Sequence, residues 1–500
     1  MFFPPASPQH ATHTGTLSQE SLGGCKTSLA RTQYPRPWPG LGVGFTSMQL
    51  GTIISDISGY DLPWDVQRAK GMLDSKRAES GPWELVRSDT DIDHFLLLGG
   101  TGSGKTTLMR FLKVADIFAG HGLAYIDPHG DAARTLLKHI PPHRLQDVIY
   151  FSPTETEQII ALNFLETVPE QYRAAVAEHL VAAFKYIWRD SWGERMEWIL
   201  LHAFRAHLDL PEGTLLGVRK MLRSKAYRKW ILPYIKDDLT HEFWTEEFES
   251  WTPTERTQAI MPILNRLDKI LGNTAVRNML GQSKSTISLR RIMDERKILV
   301  VNLSSGKIGP KSSELLGALM VAKFFTDALT REDTKEEERV PFYLYVDEFK
   351  KFQTAAFADI LSESRKYKLG LTLAGQFLGQ AGEEMVDALL NNMSDIFCFK
   401  VGSRDAKLLA PDLDIPARAL MQLAPYEIRS KNSSAIYKLA HPSILERFPH
   451  AESILKNSRD NYGRPRALVE DRIARLHRSH KDPTKAATRR PKMAKDLRVK

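Results

Sequence analysis

The chain of 500 residues is long enough for two or three domains, and its 42% hydrophobic and 26% charged residues are those of an ordinary globular protein. Two cysteines, Cys25 and Cys398, exclude a disulfide scaffold and a cysteine-rich zinc site, and no apolar run approaches the roughly 18 residues of a membrane span. The net charge of +9 is concentrated in residues 471–500, where eleven Lys/Arg stand against three Asp/Glu, so the rest of the chain is nearly neutral.

Residues 1–45 are rich in Pro, Gly, Ser and Thr with little periodicity and read as a disordered segment. They have neither a basic leading region nor a long apolar core, so no signal peptide is expected and the chain is expected to be cytoplasmic. Met48 is a second candidate start. Residues 46–92 read as a short, irregular lead-in.

The stretch "DHFLLLGGTGSGKTTLMR", residues 93–110, then matches G-x-x-x-x-G-K-[ST] from Gly99 to Thr106. An apolar run, Phe95–Leu98, precedes it as a strand, and Thr106–Val114 follows as a helix. That context makes the motif a phosphate-binding loop. The backbone amides of Gly99, Gly100, Thr101, Gly102, Ser103 and Gly104 would cradle phosphate oxygens, with Lys105, Thr106 and Thr107 opening the helix behind them. Lys105 would reach the β- and γ-phosphates of ATP, and the Thr106 hydroxyl would ligate Mg²⁺. An upstream look-alike, "LGGCKTS" at residues 22–28, lacks the glycine before its lysine and any preceding apolar strand.

Further apolar, β-branched runs predict strands at Leu123–Asp127, Val148–Ser152, Ile298–Leu303, Phe342–Asp347, Leu371–Ala374 and Ile396–Val401, with Phe95–Gly99 as the first of the series. Continuous apolar strands alternating with helices predict an α/β fold, a parallel sheet covered on both faces. Residues 166–288 interrupt the series and read as helical. In that block Val176, Leu180, Phe184 and Ile187 share one helix face. Six of the nine tryptophans lie there: Trp188, Trp192, Trp198, Trp230, Trp244 and Trp251. Core packing is the favoured reading of them over base stacking.

A phosphate-binding loop needs an acidic partner, and "PFYLYVDEF", residues 341–349, supplies a strand ending in Asp347-Glu348. Asp347 would hold the Mg²⁺ shell and Glu348 would activate the attacking water. Asp127, in "AYIDPHGD", stands at the expected carboxyl edge of the sheet, either near the ligand or as a helix cap. Gln376, just past "LTLAG", could sense the γ-phosphate. Arg365, in "SESRKYKLG", is either a surface arginine or a group that stabilises transition-state charge. The lone histidine in "DPHGD" has no companion ligands and is not expected to bind metal. The basic tail beyond 471 is either a phosphate-neutralising arm or a solvated end.

In order, "HFLLLGGTGSGKTT", "GLAYIDPHGD", "ILVVNLSSGKIG", "YLYVDEFKKF", "LSESRKYKLGLTLAGQFLGQ" and "IFCFKVGSRDA" resemble the HerA/FtsK branch of RecA-like motor ATPases. Within it the chain looks most like the conjugative coupling proteins of type IV secretion, the TraD/TraG-like group, over roughly residues 90–430. The resemblance implies a RecA-like ATPase core at 93–165 and 289–430 with an inserted all-α domain at 166–288. A C-terminal segment with the basic tail would follow at 431–500. It also implies a hexameric ring with nucleotide between subunits, DNA as a sequence-independent partner, and a membrane-bound secretion-channel partner. It assigns Arg365 to act across a subunit interface, places Asp127 and Gln376 near the phosphates, and offers Arg404, in "VGSRDA", as a second, weaker arginine. Protein transport and HerA-like DNA processing are the alternatives it leaves open. The membrane helices typical of coupling proteins are missing from this pattern.

Overall fold

Buried apolar stretches lie side by side because each is hydrophobic on both faces and must be covered on both. The computed structural model describes residues 47–54, 82–86, 92–166, 168–354, 356–378, 382–433 and 435–479. The expectation for residues 1–45 and the reading of the tail beyond 479 lie outside these. The strands are β1 Ser47–Ile54, β2 Pro82–Val86, β3 Phe95–Leu98, β4 Gly122–Asp127, β5 Val148–Phe151, β6 Gln158–Ile160, β7 Ile298–Asn302, β8 Phe342–Val346, β9 Leu369–Gly375, β10 Asp395–Cys398, β11 Glu427–Ser430, β12 Ile436–Leu439 and β13 Gly463–Pro465. Eleven of them form one sheet in the order β2-β1-β12-β11-β10-β3-β9-β8-β4-β7-β5.

The stretch from β10 to β5 is parallel throughout. β11, β12, β1 and β2 continue it antiparallel. Every residue of β3, β4, β5, β7, β8, β9 and β10 is buried, which explains why these strands were legible as apolar runs. The segment expected as an irregular lead-in carries two of the antiparallel strands. β1, "SMQLGTII", pairs with β12 from Gly51 opposite Leu439 to Ile54 opposite Ile436. Its Ser, Gln, Gly and Thr give it none of the continuous apolar character that marked the central strands.

The two faces of the sheet carry separate cores. One contains Leu97, Leu108, Phe111, Leu112, Tyr125 and Tyr345 under the helix Lys105–Phe118. The other joins Leu98, Ile126, Val301, Leu344 and Leu373 to the helical block without a break. That block runs from the helix Glu170–Ile187 to the helix Leu289–Asp294. Its helix starts follow the sequence. Thr214, Ser224, Asp237, Asn273 and Ser288 each cap a helix with a side-chain oxygen. Thr252 and Glu255 form a reciprocal capping box ahead of Pro253–Leu271.

Val176, Leu180, Phe184 and Ile187 are all buried, as their spacing predicts. Trp244 is 1% exposed, and Trp188, Trp192, Trp230 and Trp251 pack against the same core. Only Trp198 of the six presents much surface, at 45%.

The described residues after 431 are integrated into the fold. The helix Ala451–Tyr462 lies against β5, where the Ser458 hydroxyl accepts from the Tyr150 amide (2.8 Å). β13 pairs with β6, and the helix Arg466–Ser479 buries Val469 and Ile473 against the helical block. The described residues thus belong to one compact unit. Among the described residues, no helix is long and apolar enough to cross a membrane.

Candidate functional site

The candidate phosphate-binding loop, Gly99–Thr106, is slung between the ends of two strands. The Gly99 amide donates to the Gly375 carbonyl at the end of β9 (3.3 Å), and the Gly100 amide donates to the Lys400 carbonyl beyond β10 (2.9 Å). Gly104 takes φ +120°, and a Cβ there would lie 2.9 Å from Phe399 Cε1 and 3.0 Å from Tyr426 Cδ1. Only glycine fits that position. The helix Lys105–Phe118 then begins with no side-chain cap, so its first-turn amides are left to face the loop's concavity. Such a terminus suits an anion.

Lys105 Nζ folds back to donate to the carbonyls of Gly99 (2.6 Å) and Gly100 (2.9 Å). Burial lowers its pKa, while Asp347 and Glu348 pull it back upward. Thr106 is exposed and Thr107 half-buried on the same turn. Thr101 Oγ1, at the rim, donates to Gln376 Oε1 (3.3 Å), which ties the loop to the first residue past β9.

The acid pair follows β8, whose register continues through the Asp347 amide to the Ile126 carbonyl of β4 (3.1 Å). Asp347 is pushed above the usual carboxylate range, first by burial. Lys113 opposes that rise, and Asp127 reinforces it. Its carboxylate accepts from the Glu348 amide (2.9 Å) and the Tyr125 hydroxyl (3.4 Å). Glu348 sits at φ +48°, a left-handed conformation of the kind stored at functional turns at a cost of about 1–3 kcal/mol. Its carboxylate is clamped by His129 Nε2 (3.1 Å) and by an ion pair with Lys351 Nζ. Burial pushes this carboxyl upward, but the hydrogen bonds from Lys351 and His129 outweigh it and leave the pKa below the ordinary glutamate value.

Asp127 is 2% exposed, and both its oxygens are taken by the turn that follows β4. It accepts from the His129 amide (2.9 Å) and the Ala133 amide (2.8 Å), ahead of the helix Asp131–Leu136. Gly130 completes the turn at φ +94°, where a Cβ would collide with the Asn302 side chain at 2.1 Å. Both Asp127 oxygens are thus engaged as the cap alternative expects, and the turn they hold aims His129 at Glu348.

Arg365 lies elsewhere. It belongs to the turn Ser364–Tyr367 ahead of β9, whereas Gln376 stands just past that strand's far end. Seven residues of strand at about 3.3 Å each separate the two edges by about 23 Å. Lys105, Asp347, Glu348 and Gln376 are thus gathered at the carboxyl edge of one chain, and Arg365 is exposed at the amino edge. Arg404 is exposed in the first turn of the helix Ser403–Leu413.

Two residues near the acids, Lys351 and Lys113, escaped sequence reasoning, and His129 was weighed there only as a metal ligand. His129 and Lys351 meet at Glu348, 3.2 Å from one another. The signal for Lys351 was its place three residues after the acid, on the turn Phe349–Lys351. Lys113 is 1% exposed inside the helix behind the loop, its Nζ 3.0 Å from the Tyr125 ring centroid. Burial lowers its pKa to about 7. The helical block also reaches the site. Tyr186 donates its hydroxyl to the Lys350 carbonyl (2.5 Å) beside a cavity of ≈ 350 Å³ lined by Arg189, Lys311, Glu348, Gln376 and Phe377.

Strand, glycine loop, helix and an acid pair two strands away define a RecA-like P-loop fold. Among solved structures the chain is similar to the bacterial conjugative coupling protein TrwBdeltaN70 in an unbound form, at 16% identity and a TM-score of 0.52, covering 72% of this chain and 87% of that one. The plasmid coupling protein TrwB in complex with ADP and Mg²⁺ gives 14% identity and a TM-score of 0.52 over 80% and 96% of the two chains. VirB4 of Thermoanaerobacter pseudethanolicus gives 15% and 0.50 over 75% and 96%. These likenesses show the fold, in agreement with the resemblance carried by the motifs. No protein-family model and no curated protein matches the chain.

Proposed function

We propose that the chain is an ATP-hydrolysing motor of the type IV secretion kind that moves DNA, working as a hexameric ring with ATP held between subunits. The observation that carries this reading is the split site. Lys105, Asp347, Glu348 and Gln376 converge at one edge of the sheet, and the candidate arginine stands at the other. A charge-stabilising arginine there can serve only a neighbouring copy. The solved relatives support the rest, since TrwB is a conjugative coupling protein seen with ADP and Mg²⁺.

In this reading residues 93–165 and 289–430 are the ATPase core, 166–288 is the inserted all-α domain, and 431–500 is the C-terminal segment with the basic tail. Lys105 leaves the Gly99 and Gly100 carbonyls for the β- and γ-phosphate oxygens, and the loop and first-turn amides, Gly99 to Thr107, hold the phosphates. The uncapped helix start and the buried Asp347 fit Mg²⁺ with ATP, with Thr106 and Asp347 as the groups that would hold the ion. Bound Mg²⁺ would neutralise charge developing on the phosphoryl oxygens. Glu348 releases its clamp with His129 and Lys351 to orient water and take its proton. Gln376 reports the loop's state through Thr101, and Arg365 stabilises charge at the neighbour's phosphate. Asp127 acts through the turn it caps. Contacts to DNA are to phosphates, hence sequence-independent and salt-sensitive. A cytoplasmic ring docked to a membrane-bound channel protein completes the proposal.

Steady-state ATPase of the purified chain tests it, with no addition, single-stranded DNA, double-stranded DNA or a non-nucleic polyanion, each at two salt concentrations, and with Lys105→Ala as the blank. Stimulation by DNA and not by the polyanion is expected. A DNA-indifferent rate would move the assignment to a protein-transport ATPase.

A further inference from the structure

Arg365 does not hang free at the amino edge; it is braced against the root of the strand that carries the phosphate-binding loop. Its Nη2 donates to Ser394 Oγ (3.1 Å) and to the Asn392 carbonyl at the end of the helix Glu383–Asn392. The same Ser394 Oγ accepts from the His94 amide (3.2 Å), and the Ser394 amide donates to the His94 carbonyl (2.8 Å). His94 immediately precedes β3 and is fully buried.

Its ring makes the second half of the brace. Nδ1 accepts from the Leu371 amide of β9 (3.1 Å), so the ring proton sits on Nε2. Nε2 faces Ser364 Oγ (3.3 Å), and Ser364, also fully buried, is the residue before Arg365. The arginine is thus held from both sides by one residue, through its guanidinium by way of Ser394 and through its backbone neighbour by way of Ser364. From His94 to Gly99 is five residues of extended chain, about 16 Å. A shift of β3 with nucleotide at its loop would therefore carry to the arginine at the opposite edge.

We infer that His94 and Ser394 are positioning residues that fix Arg365 in its working geometry and couple it to the phosphate-binding loop of its own chain. The inference rests on the proposed role of Arg365 across a subunit interface. In a ring it gives each subunit a rigid link from its own nucleotide to its neighbour's.

The test is ATPase kinetics on the full chain with Ser394→Ala, Ser394→Thr, Arg365→Ala and the Ser394→Ala/Arg365→Ala double variant. Misplacing a catalytic group by about 1 Å costs up to about 100-fold, so Ser394→Ala is expected to lower kcat by about 10-fold or more. The KM for ATP is expected to stay unchanged, with rates compared well below the thermal midpoint, which falls modestly because the His94 amide loses its acceptor. Ser394→Thr, which keeps the hydroxyl, is expected to restore turnover. In the Arg365→Ala background Ser394→Ala is expected to be silent, the non-additivity of two residues acting as one unit. Wild-type or faster turnover of Ser394→Ala, with Arg365→Ala slow, would overturn the bracing role and leave the arginine's role standing. Equal losses in both backgrounds would also overturn it. Wild-type turnover of Arg365→Ala would instead overturn the interface arginine itself, and the inference with it.

Discussion

Asp127→Ala separates a chemical from a folding role for the most ambiguous of the acids. The carboxylate is buried and accepts two backbone hydrogen bonds of 2.9 and 2.8 Å, from His129 and Ala133. Alanine would strand both amides at the foot of the helix Asp131–Leu136. Hydrogen bonds to a charged group contribute about 1.5–3 kcal/mol each, so the loss is expected to be about 3–5 kcal/mol, relaxation of the turn recovering part of it. Asparagine keeps one acceptor but turns an NH₂ toward the other amide, so Asp127→Asn is expected to lose about half as much. Urea unfolding of the three proteins gives the ordering directly, with ATPase measured under conditions where all remain folded. Activity should fall only modestly, through the displaced His129. A variant Asp127→Ala as stable as the parent but slowed 100-fold or more would refute the capping argument and return Asp127 to the chemistry.

Glu348→Gln is expected to bind ATP with parental affinity while turnover falls about 100-fold or more, as loss of a general base does; normal turnover, followed by phosphate release, would place the base elsewhere. Gly104→Ala must adopt φ +120° and press its Cβ on Phe399, whereas Gly102→Ala at φ +76° meets open space. Titration with a fluorescent nucleotide should show the larger affinity loss at Gly104, and equal losses would refute the packing reason. Burial holds the Lys113 ammonium near pKa 7 in the folded chain, against about 10.4 when unfolded. Between those values the unfolded state binds more protons, so this group makes stability rise with pH, by up to about 1.4 kcal/mol per pH unit. Unfolding free energies at pH 7, 8 and 9 should therefore rise less steeply in Lys113→Met than in the parent, and parallel slopes would show that the lysine is not held neutral.

The clamp on Glu348 shows where legibility stopped. Asp347 and Glu348 stand out because a strand of five buried residues ends on them. His129 comes from a different crossover, 219 residues earlier, and reaches Glu348 only because Asp127 and Gly130 shape a turn at the end of β4. Arg365 and Gln376 look equivalent in the sequence, both flanking one strand, yet a strand's length puts them at opposite edges of the sheet.

By itself the sequence determined the strand, glycine turn and helix of residues 95–118, the adjacent acids at a strand end and the parallel α/β character. Each is a local pattern whose physics is complete within some ten residues: glycines for a turn, an apolar run for a buried strand, a helix N-terminus for partial positive charge. Strand order was decided by the tertiary structure. β9 is wedged between β8, the strand before it, and β3, which lies about 270 residues earlier, and so sets Gln376 against Thr101. Strands buried on both faces are uniformly apolar and carry no mark of their neighbour, so only the packing of helices on each face selects one order. The antiparallel edge, with β1 and β2 recruited from a polar segment, was fixed in the same way, by partners remote in sequence.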